Sequence, residues 1–147
     1  MTAHLLDVNL LIALAWPSHV HHEPAHRWFR RHGAGGWATC PLTQVGFVRV
    51  SSNPAIIPGA VSVPAALETL RAFTAAAHHV FWPDDLPLSD RRFPPGLLLG
   101  HRQVTDAYLL GLAIRHGGRL ATLDRGTTAL LPSASPHRDA LAIVPVE

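Results

Sequence analysis

The sequence contains no lysine and a single cysteine, and only 15% of its 147 residues are charged. One cysteine cannot form an internal disulfide, so nothing here requires an oxidising compartment and we expect a cytoplasmic location. The most apolar N-terminal stretch, LLDVNLLIALAW, carries Asp7 in its middle and has no Lys or Arg before it. It therefore fits neither a signal peptide nor a membrane span.

The low charge accompanies a hydrophobic content of 48%, which argues against disorder and coiled coil. A chain of this length buries roughly 70% of the surface that its unfolded form exposes, so we expect one domain over residues 1–147. All twelve basic residues are arginine, against ten acidic residues. A coding bias and a functional requirement explain the use of arginine alone equally well. The planar guanidinium group of arginine does suit phosphate binding.

Short apolar segments alternate with helical segments along the chain. Strands are predicted for HLLDVN, WATC, HHVFW, RLATLD and LAIVPV,. Helices are predicted for LLIALAW and for the segments that begin at Ala25, Pro41, Pro64 and Val104, and WPDDLPLSDRRFPPG is predicted to be a loop,. This alternation predicts an α/β fold around a mainly parallel sheet covered on both faces.

Three aspartates fall at positions that this fold brings together. Asp7 and Asp124 each end a predicted strand, and Asp106 opens the helix that precedes RLATLD. Ten residues of helix cover ~15 Å and five residues of strand return ~16 Å. The start of that helix and the end of that strand should therefore share the sheet edge at which Asp7 lies, the edge where open parallel sheets bind ligands.

Three carboxylates at one edge repel one another unless a cation neutralises them. Ligation by oxygen alone favours Mg²⁺ or Mn²⁺ over zinc, and such an ion activates water for attack on phosphorus. Phosphodiester hydrolysis is the reaction class that follows. For any single aspartate, capping of backbone N–H groups is the competing interpretation, and Asp106 after Thr105 is a candidate for it.

Several neighbours of the aspartates are candidates for supporting roles. Asn9 is either a ligand of a metal-bound water or the N-cap of LLIALAW, and the cap is favoured. His101, Arg102 and Arg125 stand beside the acidic positions, where they reach a phosphate or form ordinary solvated surface.

HEPAH at residues 22–26 matches the HExxH pattern of zinc proteases. Pro24 disfavours helical backbone at Glu23 and suits the first helical position, so His22 is expected outside the helix. The glycine of the extended pattern is replaced by Phe29,. We therefore reject the protease interpretation.

The segments LLDVNLLIAL, CPLTQVGFVRVSSNP and HRQVTDAYLLGLAIRHGGRLATLDRG together resemble PIN-domain toxins of the VapC type. The resemblance spans nearly the whole chain and places Asp7, Asp106 and Asp124 on the acidic positions of the family. It implies a three-layer α/β/α PIN fold and a Mg²⁺- or Mn²⁺-dependent endoribonuclease. It also implies a toxin of a type II toxin–antitoxin pair, a VapB-type antitoxin as inhibitor, and a homodimer.

One position departs from the family pattern, which often has Glu where this chain has Gln44. A neutral amide orients a metal-bound water but supplies no fourth negative charge, so we expect a weaker or single-metal site. Thr43 beside it assists through its hydroxyl or, more simply, bonds the helix backbone. The departure keeps a non-catalytic module that binds RNA or protein open as the alternative, and a metal phosphatase as a third possibility.

Overall fold

The computed structural model describes residues 2–91, 93 and 100–147, in which strands and helices alternate as expected. The strands are β1 His4–Leu6, β2 Trp37–Thr39, β3 His79–Phe81, β4 Arg119–Thr122 and β5 Leu141–Ile143. The α-helices are α1 Val8–Ala15, α2 His22–His32, α3 Pro41–Ser51, α4 Val63–Thr74 and α5 Val104–Arg115. Short 3₁₀ helices occupy Gly33–Gly35, His101–Gln103, Arg125–Leu130 and Arg138–Ala140.

The five strands form one sheet in the order β3-β2-β1-β4-β5, and every neighbouring pair is parallel. β1 lies at the centre and pairs with β2 on one side and β4 on the other. The carboxyl ends of all five strands therefore lie at the same edge of the sheet. Asp7 is the first residue after β1 at this edge. The expectation of a parallel α/β sheet is confirmed.

Helices cover both faces of this sheet. Leu5 and Leu6 alternate across β1, so Leu5 packs with the buried residues of α5 while Leu6 packs with those of α1 to α4,. Leu120 and Ala121 divide in the same way on β4. Two apolar cores thus lie on opposite sides of the strands, which gives the three-layer α/β/α arrangement.

Two glycines after α5 bring the chain back to the centre of the sheet. Gly117 has a φ of 66°, which favours glycine and ends the helix,. A Cβ at Gly118 would lie 2.4 Å from the ring of Trp82 and 2.6 Å from the carbonyl oxygen of Ala3. Glycine there lets β4 pair beside β1, and the predicted glycine end of this helix is confirmed.

The start of α2 differs from the prediction. The helix begins at His22 rather than Ala25, so it contains Pro24 and carries both histidines of HEPAH one turn apart. Pro24 fits because the first N–H groups of a helix have no intrahelical partner. The prediction that Pro24 keeps His22 outside the helix is therefore wrong, whereas the replacement of the glycine of the extended pattern by Phe29 stands. However, His22 Nδ1 and His26 Nε2 lie 2.7 and 2.8 Å from the carbonyl oxygens of Ala13 and Leu14, so both rings already bond the backbone.

The predicted loop WPDDLPLSDRRFPPG falls partly outside the described residues, since residues 92 and 94–96 are not among them. Its described part has no helix or strand. Asp85 in this part lies 3.0 Å from Nε of Arg115 and 3.0 Å from Nε2 of His116, which fastens the loop to the end of α5. In the part of the chain that the structure describes, no helix is long and apolar enough to span a membrane.

Candidate functional site

Asp7 stands between the end of β1 and the start of α1, and its carboxylate is buried. It is the N-cap of α1, with Oδ1 accepting the backbone N–H of Leu10 at 2.8 Å. Burial, and to a smaller extent the charges of Asp106 and Asp124, raise the pKa of Asp7 from 3.8 to about 6, although its hydrogen bonds to Thr122 and Leu10 act in the opposite direction. The buried carboxylate is thus both a helix cap and a poorly solvated charge.

Thr122, the last residue of β4, holds the second oxygen of this carboxylate. Its hydroxyl donates to Oδ2 of Asp7, and the same hydroxyl oxygen accepts the backbone N–H of Asp124 at 3.1 Å. One buried side chain therefore fixes two of the three aspartate positions. The sequence analysis missed this residue, although a threonine two residues before Asp124 in RLATLD was a usable signal, because alternate residues of a strand share a face.

Asp106 and Asp124 approach Asp7 from two other elements. Asp106 is the third residue of α5 and is half-buried, and Asp124 follows β4 and is exposed. Burial, and then the charge of Asp124, raise the pKa of Asp106. The charges of Asp106 and Asp124 therefore act on Asp7, and the charge of Asp124 acts on Asp106, which brings the three positions to the common edge that the chain-length estimate predicted.

The capping interpretation holds for two of these aspartates. Besides the Asp7 cap, Asp124 caps the following 3₁₀ helix, with Oδ1 accepting the N–H of Gly126 at 2.8 Å. Asp106 is not a cap, because the N-cap of α5 is Gln103 and no side chain bonds there. Its position in the first turn of α5 favours a negative charge, but burial beside other carboxylates opposes it.

The donor chemistry of the three aspartates fits a hard divalent cation. All the side-chain donors are carboxylate oxygens, and exposure increases from buried Asp7 to half-buried Asp106 to exposed Asp124, which leaves one side open to water,. No ion pair within the described residues involves these aspartates. No group of three or more His, Cys, Asp or Glu side chains in that part of the chain is already arranged to hold an ion. Carboxylates without a cation repel one another, so a preformed cluster is not expected.

Asn9 does not cap α1, which corrects the favoured expectation. Asp7 takes the cap, because it lies at the strand-to-helix junction with extended backbone. Asn9 is exposed in the first turn of the helix, and its Oδ1 lies 3.2 Å from Nε2 of His19. His19 accepts the N–H of His21 through Nδ1, so Nε2 carries the proton and donates to Asn9. No local sequence pattern indicates this contact.

Thr43 and Gln44 lie in the first turn of α3, after β2. The Thr43 hydroxyl accepts the N–H of Cys40 at 3.0 Å and donates to the Cys40 carbonyl oxygen at 3.1 Å, which is the helix-backbone role that the sequence allowed. Nε2 of Gln44 donates to Oγ1 of Thr39 at 3.0 Å, and Oγ1 of Thr39 lies 2.8 Å from Nε2 of His79. The amide of Gln44 is thus oriented by the end of β2.

The three cationic candidates are all exposed. His101 and Arg102 lie in the 3₁₀ helix just before α5, and Arg125 follows Asp124 directly. They therefore flank the elements that carry Asp106 and Asp124. None of the hydrogen bonds or ion pairs within the described residues ties their side chains to the aspartates.

The chain has a parallel sheet between two layers of helices, with acidic side chains beyond the ends of its central strands. This is the architecture of a ligand-binding α/β enzyme. Comparison with known sequences defines it more closely, because the PIN-domain profile matches residues 4–130. The chain belongs to the PIN-domain family.

Three similar proteins are named as ribonucleases of the VapC type. Ribonuclease VapC39 of Mycobacterium tuberculosis is 49% identical over 140 residues, which cover 92% of this chain and 95% of the relative. Ribonuclease VapC38 of the same organism is 52% identical over 126 residues, covering 86% and 88%. Ribonuclease VapC29 is 40% identical over 141 residues, covering 96% of each. The resemblance to the VapC type stated from the sequence is thus confirmed.

Proposed function

We propose that the chain is an endoribonuclease that acts as the toxin of a type II toxin–antitoxin pair, with Asp7, Asp106 and Asp124 as its catalytic and metal-binding residues. The observation that carries the proposal is the buried carboxylate of Asp7, held by Thr122 and close enough to Asp106 and Asp124 for their charges to raise its pKa. A buried acid among like charges is unfavourable for folding alone. Its retention is accounted for by a bound cation.

Metal dependence is general among PIN-domain ribonucleases, and we take Mg²⁺ as the ion, with Mn²⁺ as a substitute. When bound, Mg²⁺ lowers the pKa of water for attack and neutralises charge at the phosphate. The chain positions its carboxylates for this ion: Thr122 fixes Asp7, and α5 and the end of β4 present Asp106 and Asp124. Both Asp7 oxygens retain a free lone pair, since each accepts one hydrogen bond,.

The neighbouring polar residues support these carboxylates. We assign to Asn9 and Gln44 the orientation of water at the site, while Thr43 fixes the first turn of α3 on which Gln44 stands. His101, Arg102 and Arg125 are exposed beside the site, where we assign them to the RNA backbone phosphates. Arginine suits this role because its fork pairs two phosphate oxygens.

The partners follow from the similarity to VapC ribonucleases. We assign RNA as the substrate, a VapB-type antitoxin protein as the inhibitor, and a homodimer as the assembly. An RNA substrate in turn assigns the action of the protein to the cytoplasm.

A cleavage assay on antitoxin-free protein tests this function. Mixed cellular RNA is incubated with Mg²⁺, with Mn²⁺ and with a chelator, and a small phosphate ester is tested in parallel. We expect cleavage of RNA only with a metal ion, and no turnover of the small ester. Turnover of the ester without RNA cleavage would instead indicate the phosphatase.

The non-catalytic module is the disfavoured alternative. It depends on Gln44 in place of Glu, whereas the relatives over most of the chain are ribonucleases and all three aspartates are present. RNA binding without cleavage at any metal concentration would establish that alternative and overturn the nuclease.

A further inference from the structure

A cavity of about 440 Å³ lies between α2, the first residues of β1 and β4, and the C-terminal segment over residues 142–147. Its volume falls within the range of about 300–1,000 Å³ that is typical of small-molecule sites. His4 and Arg119 are the first residues of these strands and are paired in register. Asp7, Asp106 and Asp124 are not among its described lining residues, so the cavity is distinct from the carboxylate site.

The cavity is lined by an excess of positive charge. Arg27, Arg31 and Arg119 line it, and Glu147 is the one acidic residue among the described lining residues. Nη2 of Arg27 donates to the main-chain oxygen of Glu147 at 3.1 Å. Arg31 and Arg119 have no ion-pair partner in the described part of the chain. Arg27 and Arg31 are four residues apart on α2, a spacing at which like charges repel.

His4, which lines this cavity, has a buried side-chain nitrogen without a hydrogen-bond partner in the part of the chain that the structure describes. His4 is 8% exposed, and its Nδ1 has no hydrogen-bond partner among the described residues. Its ring lies edge-on to Trp28 and His32, with centroids 5.1 and 5.6 Å apart. A buried nitrogen without a partner is unfavourable, and a ligand in the cavity is a means of supplying one.

Helix stability explains only part of this arrangement. Cations in the last turn of a helix interact favourably with its dipole, and Arg30, Arg31 and His32 occupy the last turn of α2. That effect does not account for Arg27, one turn earlier, or for Arg119 on β4. Arg30 shares the last turn with Arg31 but is absent from the described lining of the cavity. The convergence on the cavity therefore needs a cause besides the dipole.

We propose that this cavity binds a phosphate-bearing anion of nucleotide size. Guanidinium forks bind phosphate oxygens in pairs, and three of them converge here from a helix and a strand. The volume exceeds what a single phosphate needs, so the group that carries the phosphate also enters. The source is either a free nucleotide or the terminal phosphate of an RNA fragment, and both present a phosphate ester. The proposal does not depend on the assignment of the carboxylate site.

The test is calorimetric titration of the metal-free full chain with ADP, in chelator so that metal–phosphate contacts at the aspartates are excluded. Parallel titrations use inorganic phosphate, a short RNA with a 5′-phosphate, and the same RNA without it. The variants are Arg31→Gln and Arg119→Gln, and Arg30→Gln is the matched control on the same helix. We expect saturable ADP binding that weakens about tenfold or more in each cavity variant and is unchanged in the control.

Further results distinguish a free nucleotide from an RNA terminus as the ligand and show whether the proposed site is wrong. Binding of the 5′-phosphorylated RNA but not of its unphosphorylated form supports the RNA terminus as the source. Absence of saturable ADP binding would overturn the proposed site, as would a loss of ADP affinity in Arg30→Gln equal to that in the cavity variants. If inorganic phosphate binds as tightly as ADP, the site does not recognise a ligand of nucleotide size. If Arg119→Gln lowers the thermal unfolding midpoint, Arg119→Lys keeps the charge without the fork and is expected to weaken binding. The His4 and His32 ring NMR signals should shift with ADP in the parent and not in the cavity variants.

Discussion

The hydroxyl of Thr122 donates to the carboxylate of Asp7 across the β1–β4 pair while its oxygen accepts the backbone N–H of Asp124. A neutral side chain therefore links two acidic positions that come from opposite ends of the sequence. It lowers the cost of burying the Asp7 charge and fixes the direction of that carboxylate. Such a contact sets how well the acidic positions bind a cation.

Replacing Thr122 by Val should weaken metal binding. The variant keeps the β-branched shape but removes the hydroxyl, so Asp7 loses a hydrogen bond and the Asp124 N–H loses its acceptor. We expect the Mg²⁺ or Mn²⁺ concentration for half-maximal RNA cleavage to rise by about 10–100-fold. The free energy of unfolding should fall by about 1–3 kcal/mol. Thr122→Ser retains the hydroxyl and serves as control; an equal defect in Ser would mean that only packing matters.

Replacing Asp106 by Asn should abolish cleavage without unfolding the protein. The amide removes one negative charge from the acidic group but keeps the size of the side chain. A loss of more than about a hundredfold in cleavage is expected, because removal of supporting residues alone costs 10–100-fold at metal sites. Asp139→Asn, at an exposed position in the last 3₁₀ helix, is the matched control. Unchanged activity in Asp106→Asn would remove the proposed mechanism.

Replacing Asp7 by Asn should inactivate the protein yet stabilise its metal-free form at neutral pH. The pKa of Asp7 rises from 3.8 to about 6 on folding, so the folded state binds the proton more tightly than the unfolded state. Its contribution to stability is favourable below pH 3.8 and is lost as the pH rises through about 6. Asn cannot ionise, so it removes the cost of burying the Asp7 charge at neutral pH while it still caps α1. In chemical unfolding in chelator, the free energy of unfolding should therefore rise by about 1–3 kcal/mol. A role limited to capping predicts no gain.

The stability experiment must compare the pH dependence of the free energy of unfolding in the parent and in Asp7→Asn. This is because titration of His4 changes stability with pH in the opposite direction to Asp7. Burial, with the charges of His32 and Arg119, lowers the pKa of His4 from 6.5 to about 4. The unfolded state then binds more protons between these values, so stability rises with pH where the Asp7 contribution falls. Subtracting the two pH profiles isolates Asp7.

Acidification should weaken metal-dependent cleavage at limiting metal concentration. Protons and cations compete for Asp7, whose pKa of about 6 lies just below neutral pH,. We expect the half-maximal metal concentration to rise as the pH falls below about 6, and excess metal to restore cleavage. A pH profile that is the same at limiting and saturating metal would contradict this competition.

Replacing Gln44 by Glu should strengthen metal binding if residue 44 takes part in the site. A fourth carboxylate lowers the half-maximal metal concentration by roughly tenfold. The exchange also removes the N–H that Gln44 donates to Thr39, so Thr39→Val, which removes the accepting hydroxyl, serves as the control for loss of this contact. An unchanged metal requirement in Gln44→Glu would place residue 44 outside the catalytic machinery.

Patterns of apolar residues, glycine and proline predicted the parallel sheet, the helices and the common edge of the three aspartates. These features depend on periodicity and chain length, which are local properties of the sequence. The start of α2 was wrong because a proline was given the first helical position, whereas the open N–H groups of the first turn accept it at the third,.

Side-chain partnerships were harder to predict than strand order. Asn9 and Asp7 are both residue types that cap helices well. Asp7 is the N-cap because its backbone is extended at the junction between β1 and α1. The roles of Thr122 and of the cavity at His4 depend on residues more than a hundred positions apart. The spacing in RLATLD places Thr122 on the same face as Asp124,, but no local pattern indicates its contact with Asp7 or the cavity at His4.

The contact between Thr122 and Asp7 spans 115 positions of the chain, and this has a consequence during synthesis. Asp7 is made early, but its partners on β4 leave the ribosome only after most of the protein has been translated. A nascent or prematurely terminated chain that ends before β4 lacks both Thr122 and Asp124. The three acidic positions therefore come together only when synthesis is nearly complete.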